Sequence, residues 1–164
     1  MVFCALLTAL AVVCARFLSL APTETTRYSL ETVPIFLSGL LFGPLAGTLV
    51  GFASDFLGCL FSPYGFNPMF CLPPVLLGLC GGLFRPLLKK PSLPRLALAY
   101  LPPMLLGYLL YQSAALAFAY HKEAFLTFFN VNLLTRGVQY GIIYVINVLL
   151  VWLLCRAGIQ SRLG

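Results

Sequence analysis

The chain has 164 residues, 61 % of them hydrophobic and only 9 % charged, with a mean hydropathy of +1.00. A soluble domain carries about 25 % charged residues, and ten bases with four acids cannot dress the surface of a domain this small. An ordinary water-soluble domain, a disordered tail and a coiled coil are therefore excluded, which leaves a polytopic membrane protein. In a soluble protein the net charge of +6 would suggest nucleic-acid binding. In a membrane protein the bases are first of all topology signals, and no nucleic-acid partner is expected. One spanning helix takes about 20 residues, so five to seven helices use the whole length and leave no room for an ATP-hydrolysing or other soluble catalytic domain.

Six apolar segments follow in chain order, predicting a single integral-membrane domain over residues 1–164, all-α, with six transmembrane helices. The first, at about 1–20, lacks a basic leader and a cleavage site and reads as a spanning helix rather than a signal peptide. After the polar stretch APTETTRYSLET come a half-length segment at about 33–42, the pair Gly43-Pro44 and a third segment at about 45–60. The loop SPYGFNP leads into segment four at about 69–88, and the basic loop KKPSLPR into segment five at about 96–120. The polar turn His121-Lys122-Glu123 precedes segment six at about 126–155, which has room for one break. Pro44 donates no N–H and clashes with a preceding helical turn, so it ends or kinks a helix there.

Charge decides between two helices at Gly43-Pro44 and one kinked helix. Six crossings gather Arg85, Lys89, Lys90, Arg95, Arg156 and Arg162 on one face with no acid. Arg27 and Lys122 then fall opposite, offset by Glu24, Glu31 and Glu123. That is a positive-inside pattern with both termini cytoplasmic, whereas five crossings would split the basic loop from the basic tail. Gly39, Gly43, Gly47 and Gly51 recur every four residues, as do Gly78 and Gly82, a spacing suited to close helix packing in lipid. Ala5 with Ala9 and Ala11 with Ala15 form two similar pairs; if this alanine face points outward, it is a surface for another membrane helix.

Ionisable groups inside hydrocarbon are costly and mark functional candidates. Asp55 and Arg136 lie deep in segments three and six, where they either serve a site or pair with each other. Arg16, near the end of helix one, is equally suited to snorkelling. The external side gathers recognition chemistry: Arg27 and Tyr28 in TETTRYS, and Tyr64, Phe66 and Asn67 in the second loop. On segment six, Asn132, Arg136, Gln139 and Tyr140 share one helical face at i, i+4, i+7 and i+8. Aromatic faces, amides and arginines together suit a planar heteroaromatic ligand with anionic groups; interhelical hydrogen bonds would use the same residues. Enzymatic motifs are missing: there are no paired carboxylates, HExxH, GxSxG, Walker A or metal-ligand cluster. The six cysteines form no CxxC pair and read as buried small hydrophobes. Neither an enzyme nor a bound cofactor is expected.

The run PIFLSGLLFGPLAGTLVGFASDFLGCLFSPYGFNPMF, residues 34–70, resembles the signature of folate-family substrate-binding S components of energy-coupling factor (ECF) transporters. The matching positions are Pro34, Phe42-Gly43-Pro44, Gly47, Val50-Gly51, Asp55, Gly58, Pro63, Gly65, Phe66, Pro68 and Phe70. Arg16 to Ser19, Tyr28-Ser29-Leu30 and the helix from Asn132 to Asn147 are similar to the family as well. Departures are Met69 in place of a glycine, CLPPVLLG at the start of helix four, and Val145 where a proline is usual. The resemblance implies a membrane subunit that captures a vitamin, folate first, beside a transmembrane coupling subunit and two cytoplasmic ATPases. It implies docking of the coupling subunit on Ala5, Ala9, Ala11 or Ala15, and closure of the pocket by residues 23–31 and 62–68. Folate would be sandwiched near Tyr28, Tyr64 and Phe66, oriented by Asn67 and Gln139, and met by Arg27 and Arg136. An S component for another vitamin and a ligand-free assembly subunit are the alternatives.

Overall fold

The computed structural model describes residues 2–17, 30–60, 68–89, 92–120 and 125–157, apart from the side chains at 89, 119, 120, 125, 128 and 132. Their elements are α1 (Val2–Arg16), α2 (Thr32–Phe42), α3 (Pro44–Leu60), α4 (Pro68–Leu83), a 3-10 turn (Leu87–Lys89) and α5 (Leu93–Pro102). A π-helical segment (Pro103–Tyr111), α6 (Gln112–Tyr120) and α7 (Phe125–Arg156) complete the described chain. The all-α expectation holds. Because α5, the π segment and α6 run on without a break, the described residues form six helical rods that coincide with the six apolar segments. By length and composition two rods can cross a membrane, Leu93–Phe118 and Phe129–Arg156. The helices α1 to α4 are apolar but only 11 to 17 residues long. At 1.5 Å per residue α2 rises about 16 Å, roughly half a hydrocarbon core of about 30 Å.

Gly43 is the one residue between α2 and α3, at φ 96° and ψ 176°, backbone space that a Cβ disfavours. A continuous helix would hold Gly39 and Gly47 about 12 Å apart. Instead, a Cβ built on Gly47 would lie 2.7 Å from the Gly39 Cα, so the chain reverses at Gly43 rather than kinking.

The four-residue glycine repeat makes this reversal possible and carries the packing of α2, α3 and α4. A Cβ on Gly39 or Gly47 would collide with the Gly78 carbonyl, one on Gly51 with the Pro74 carbonyl, and one on Gly82 with Pro44. Backbone therefore meets backbone at these crossings, the close approach that small residues permit in lipid. The helix α1 packs on α2 and α3, these two pack on each other and on α4, α4 also packs on α5 and the π segment, and α7 lies along α5, the π segment and α6 and touches α2. The core between them holds Ile35, Phe36, Leu40, Leu77, Leu96, Tyr100 and Val151, with the Phe36 and Tyr100 ring centroids 4.7 Å apart.

Polarity is inverted relative to a soluble bundle. Leu45, Leu49, Phe52 and Phe56 on α3 and Leu134, Val138, Ile142 and Val145 on α7 face outward, while Ser38, Ser54, Ser113, Arg136, Gln139 and Asn147 are buried. An apolar perimeter around polar interior groups is stable against lipid, not against water. Segment six proves to be one unbroken helix of 32 residues. Segment five instead contains the π segment, which begins at Pro102-Pro103. Two consecutive residues without an N–H leave two carbonyls of the preceding turn unpaired, and their rings push against that turn. The ladder resumes in a wider register, seen where the Gln112 N–H donates to the Gly107 carbonyl five residues back.

Candidate functional site

The seam between the π segment, α6 and α7 concentrates the polar side chains of the interior. On α7 the buried stripe runs Arg136, Gln139, Ile143, Asn147, Val151, Cys155, at helical spacing, with Arg136 6 % and Gln139 3 % exposed. Half-buried Tyr140 stands beside this stripe. Its hydroxyl donates to Gln112 Oε1 at 3.0 Å, and its ring lies 5.9 Å from that of Tyr108 in the π segment. One turn deeper, the Tyr144 hydroxyl donates to the Ala97 carbonyl at 2.7 Å, and its ring meets Tyr100 edge-on at 6.2 Å. Deeper again, Asn147 Nδ2 donates to Thr32 Oγ1 at 2.6 Å, fixing the N-terminus of α2 to α7. The result is a ladder of tyrosines, amides and hydroxyls descending from Arg136 to the start of α2. On the flank of the seam, Leu105, Leu109, Gly137 and Gly141 with Tyr140 and Tyr144 help line a groove of about 180 Å³.

Of the helical face predicted on segment six, Arg136 and Gln139 are buried, and half-buried Tyr140 meets Gln112 of α6 and Tyr108 of the π segment. Asn132 lies one turn above Arg136 on α7, its side chain outside the described residues. Arg27, Tyr28, Tyr64, Phe66 and Asn67 also lie outside the described residues, as do the turn at His121 to Glu123 and most of the two loops expected to close the pocket. Sequence reasoning missed Tyr108, Gln112 and Ser113. Their signal was the polar pair Gln112-Ser113 in the middle of an apolar run, set off by the double proline one helix-half earlier.

The four alanines of α1 divide. Ala5 and Ala9 are exposed, whereas Ala11 and Ala15 are 0 % and 7 % exposed and pack inside the chain. A six-residue offset turns a helix by about 240°, so the two pairs cannot share a face, and a partner helix would find Ala5 and Ala9. Arg16 does not snorkel free. Its guanidinium donates to the Gly58 carbonyl in the last turn of α3, where the helix dipole favours a cation. Gly58 leaves the space for it, since a Cβ there would sit 3.4 Å from Arg16 Nη2. Asp55 lies one turn before Gly58 on α3, opposite Cys71 of α4. Among the described residues no cluster of His, Cys, Asp and Glu is suited to a metal ion, and the six cysteines are free thiols.

The described residues form a multi-pass helical body, apolar outside, whose interior seam carries tyrosines, amides and an arginine, side chains suited to stacking and hydrogen bonding. Its class is that of a membrane-embedded binding subunit. The chain belongs to the S components of ECF-type transporters: the family described as "ECF-type riboflavin transporter, S component" matches residues 1–156, and members of that family are transport proteins rather than enzymes. Among individual relatives, the folate transporter FolT of Clostridium novyi (strain NT) is 36 % identical over 100 residues, which are 60 % of this chain and 57 % of FolT. The chain thus aligns with somewhat over half the length of that relative. An uncharacterized protein of Mycoplasma pneumoniae (strain ATCC 29342 / M129 / Subtype 1), the MG098 homolog, is 37 % identical over 67 residues, 41 % of this chain and 14 % of that protein. The crystal structure of FolT bound with folic acid superimposes with a TM-score of 0.76 at 26 % identity, covering 91 % of this chain and 87 % of that one.

Proposed function

We propose that this chain is the substrate-capture subunit of an ECF-type vitamin importer and that its vitamin is folate. The observation that carries the reading is the buried Arg136–Gln139–Tyr140 face set against the π segment and α6, in a fold shared with a FolT that is bound to folic acid. Arg136 would take a folate carboxylate in bidentate fashion, while Gln139 and Asn132 would orient the ligand and Tyr140 would stack against it. Arg27, Tyr28, Tyr64, Phe66 and Asn67 would complete the pocket from the two outer loops. Six crossings with both termini cytoplasmic remain the topology best suited to the charge pattern, and the reversal at Gly43 supports it. Energy would come from a transmembrane coupling subunit and two cytoplasmic ATPases. The coupling subunit would dock on the exposed Ala5–Ala9 face of α1.

The decisive experiment is direct binding of labelled folic acid to the purified protein, with Arg136→Ala in parallel. Wild type should bind saturably, and the variant should bind at least tenfold more weakly, as expected when a buried charge-assisted hydrogen bond is lost. No saturable binding by wild type would overturn folate as the ligand. A second reading, riboflavin, is favoured by the description of the matching family; unlabelled riboflavin as competitor tests it in the same assay.

A further inference from the structure

Two hydroxyls in the seam have no structural task. Tyr108 Oη and Ser113 Oγ are buried, the residues being 5 % and 0 % exposed, and neither has a hydrogen-bond partner. Of the neighbouring side chains, Tyr140 bonds Gln112, Tyr144 bonds Ala97 and Asn147 Nδ2 bonds Thr32, while the Tyr100 hydroxyl and Asn147 Oδ1, further along the same ladder, also lack a partner. A buried polar group left unbonded destabilises a protein by about 1–3 kcal/mol, so two of them on one face of one rod point to a group that comes from outside the chain.

Their position says what that group meets. Side chains on a helix lean toward its N-terminus, so in the antiparallel pair of α6 and α7 the Tyr140–Gln112 bond sets Gln112 near the Arg136–Gln139 turn. Ser113 is the next residue, and Tyr108 lies about one wide turn below, with its ring against Tyr140. Everything at this depth is neutral: two hydroxyls, the Gln139 and Gln112 amides and the Tyr140 phenol. The cation Arg136 stands one turn above Gln139 and Tyr140 on α7. A hydroxyl and an amide each donate and accept, which matches the alternating N–H, C=O and ring-nitrogen edge of a fused pyrimidine. That edge is common to a pterin and to an isoalloxazine.

Building on the proposed function, we infer that Tyr108 Oη and Ser113 Oγ, together with Gln139, read the pyrimidine edge of the vitamin's ring system, and that the ring lies deeper than the vitamin's charged end. The π segment is the device that turns both hydroxyls inward on the same face.

The test is competition binding on the purified full chain, with folic acid, riboflavin and p-aminobenzoyl-glutamate (the charged end of folate without its ring) as ligands. Tyr108→Phe and Ser113→Ala remove one oxygen each, and Tyr111→Phe, half-buried in the same π segment, is the control. Each of the two variants should weaken whichever ring-bearing vitamin the wild type binds by about tenfold, leave p-aminobenzoyl-glutamate unaffected, and leave the ligand-free melting temperature equal or higher. Wild-type affinity retained in both variants would overturn the inference while leaving the proposed function intact. Equal weakening of p-aminobenzoyl-glutamate would overturn the assignment to the ring. Failure of the wild type to bind either vitamin would instead overturn the proposed function on which this reading rests.

Discussion

Single residues in this chain divide by what surrounds their Cα. Gly47 faces the Gly78 carbonyl and the Gly39 backbone, whereas nothing approaches within 4 Å of a Cβ built on Gly137. Backbone cannot swing aside as a side chain does, so Gly47→Ala should destabilise by about 1–3 kcal/mol or more through overpacking. Gly137→Ala should be neutral or slightly stabilising, since alanine is the better helix former by about 1 kcal/mol. Melting temperatures in detergent measure both, and equal effects at the two sites would contradict the packing described. The glycine repeat was legible in the sequence because four-residue spacing of small residues has one straightforward use in lipid. The alanines were read as one outward face, and the burial of Ala11 and Ala15 corrects that: the offset of about 240° puts the two pairs on different faces, and which pair faces out depends on the neighbouring helices.

Among elements, boundaries were read well and irregularities were not. The reversal at Gly43-Pro44 follows from one residue able to hold positive φ and one unable to continue a helix, and α7 keeps the polar face that its spacing predicted. The rod of segment five was read as a plain helix, although Pro102-Pro103 stands in its middle. Whether a double proline kinks a helix, breaks it or widens its register is decided by the neighbours that re-satisfy the freed carbonyls, and those are tertiary. The wider register matters because it sets the rotation of everything beyond it, Gln112 and Ser113 included. Replacing both prolines with alanine should restore ordinary i to i−4 bonding and turn these residues away from α7. The expected outcome is at least a tenfold loss of folate binding with an unchanged or higher melting temperature, since each proline in a helix interior costs about 3 kcal/mol. Binding titration and thermal unfolding of the same preparation would show it, and retained affinity would mean the π segment has no part in the site.

At the scale of the whole molecule, the two proposed roles fall on different parts. The partner face is Ala5 and Ala9 on α1, which packs on α2 and α3, while the ligand seam is built from the π segment, α6 and α7. Ala9→Trp should therefore abolish co-purification with the coupling subunit while leaving folate affinity within about twofold of wild type. Ala11→Trp, forced into a site with no exposed surface, should instead lower the melting temperature of the isolated chain. The opposite pattern, with Ala11→Trp folding normally and losing the partner, would move the docking face.

The backbone-to-backbone clasp of α2, α3 and α4 has a consequence for how such a chain can change over generations. Where carbonyls meet Cα atoms there is almost no substitution to try, so Gly39, Gly47, Gly78 and Gly82 hold their part of the molecule nearly constant. The ladder between the π segment and α7 is made of side chains, and each rung can be exchanged one at a time without moving a helix. A lineage can therefore acquire a taste for a new vitamin by rewriting the rungs, while the clasp that fixes the other half passes on unaltered.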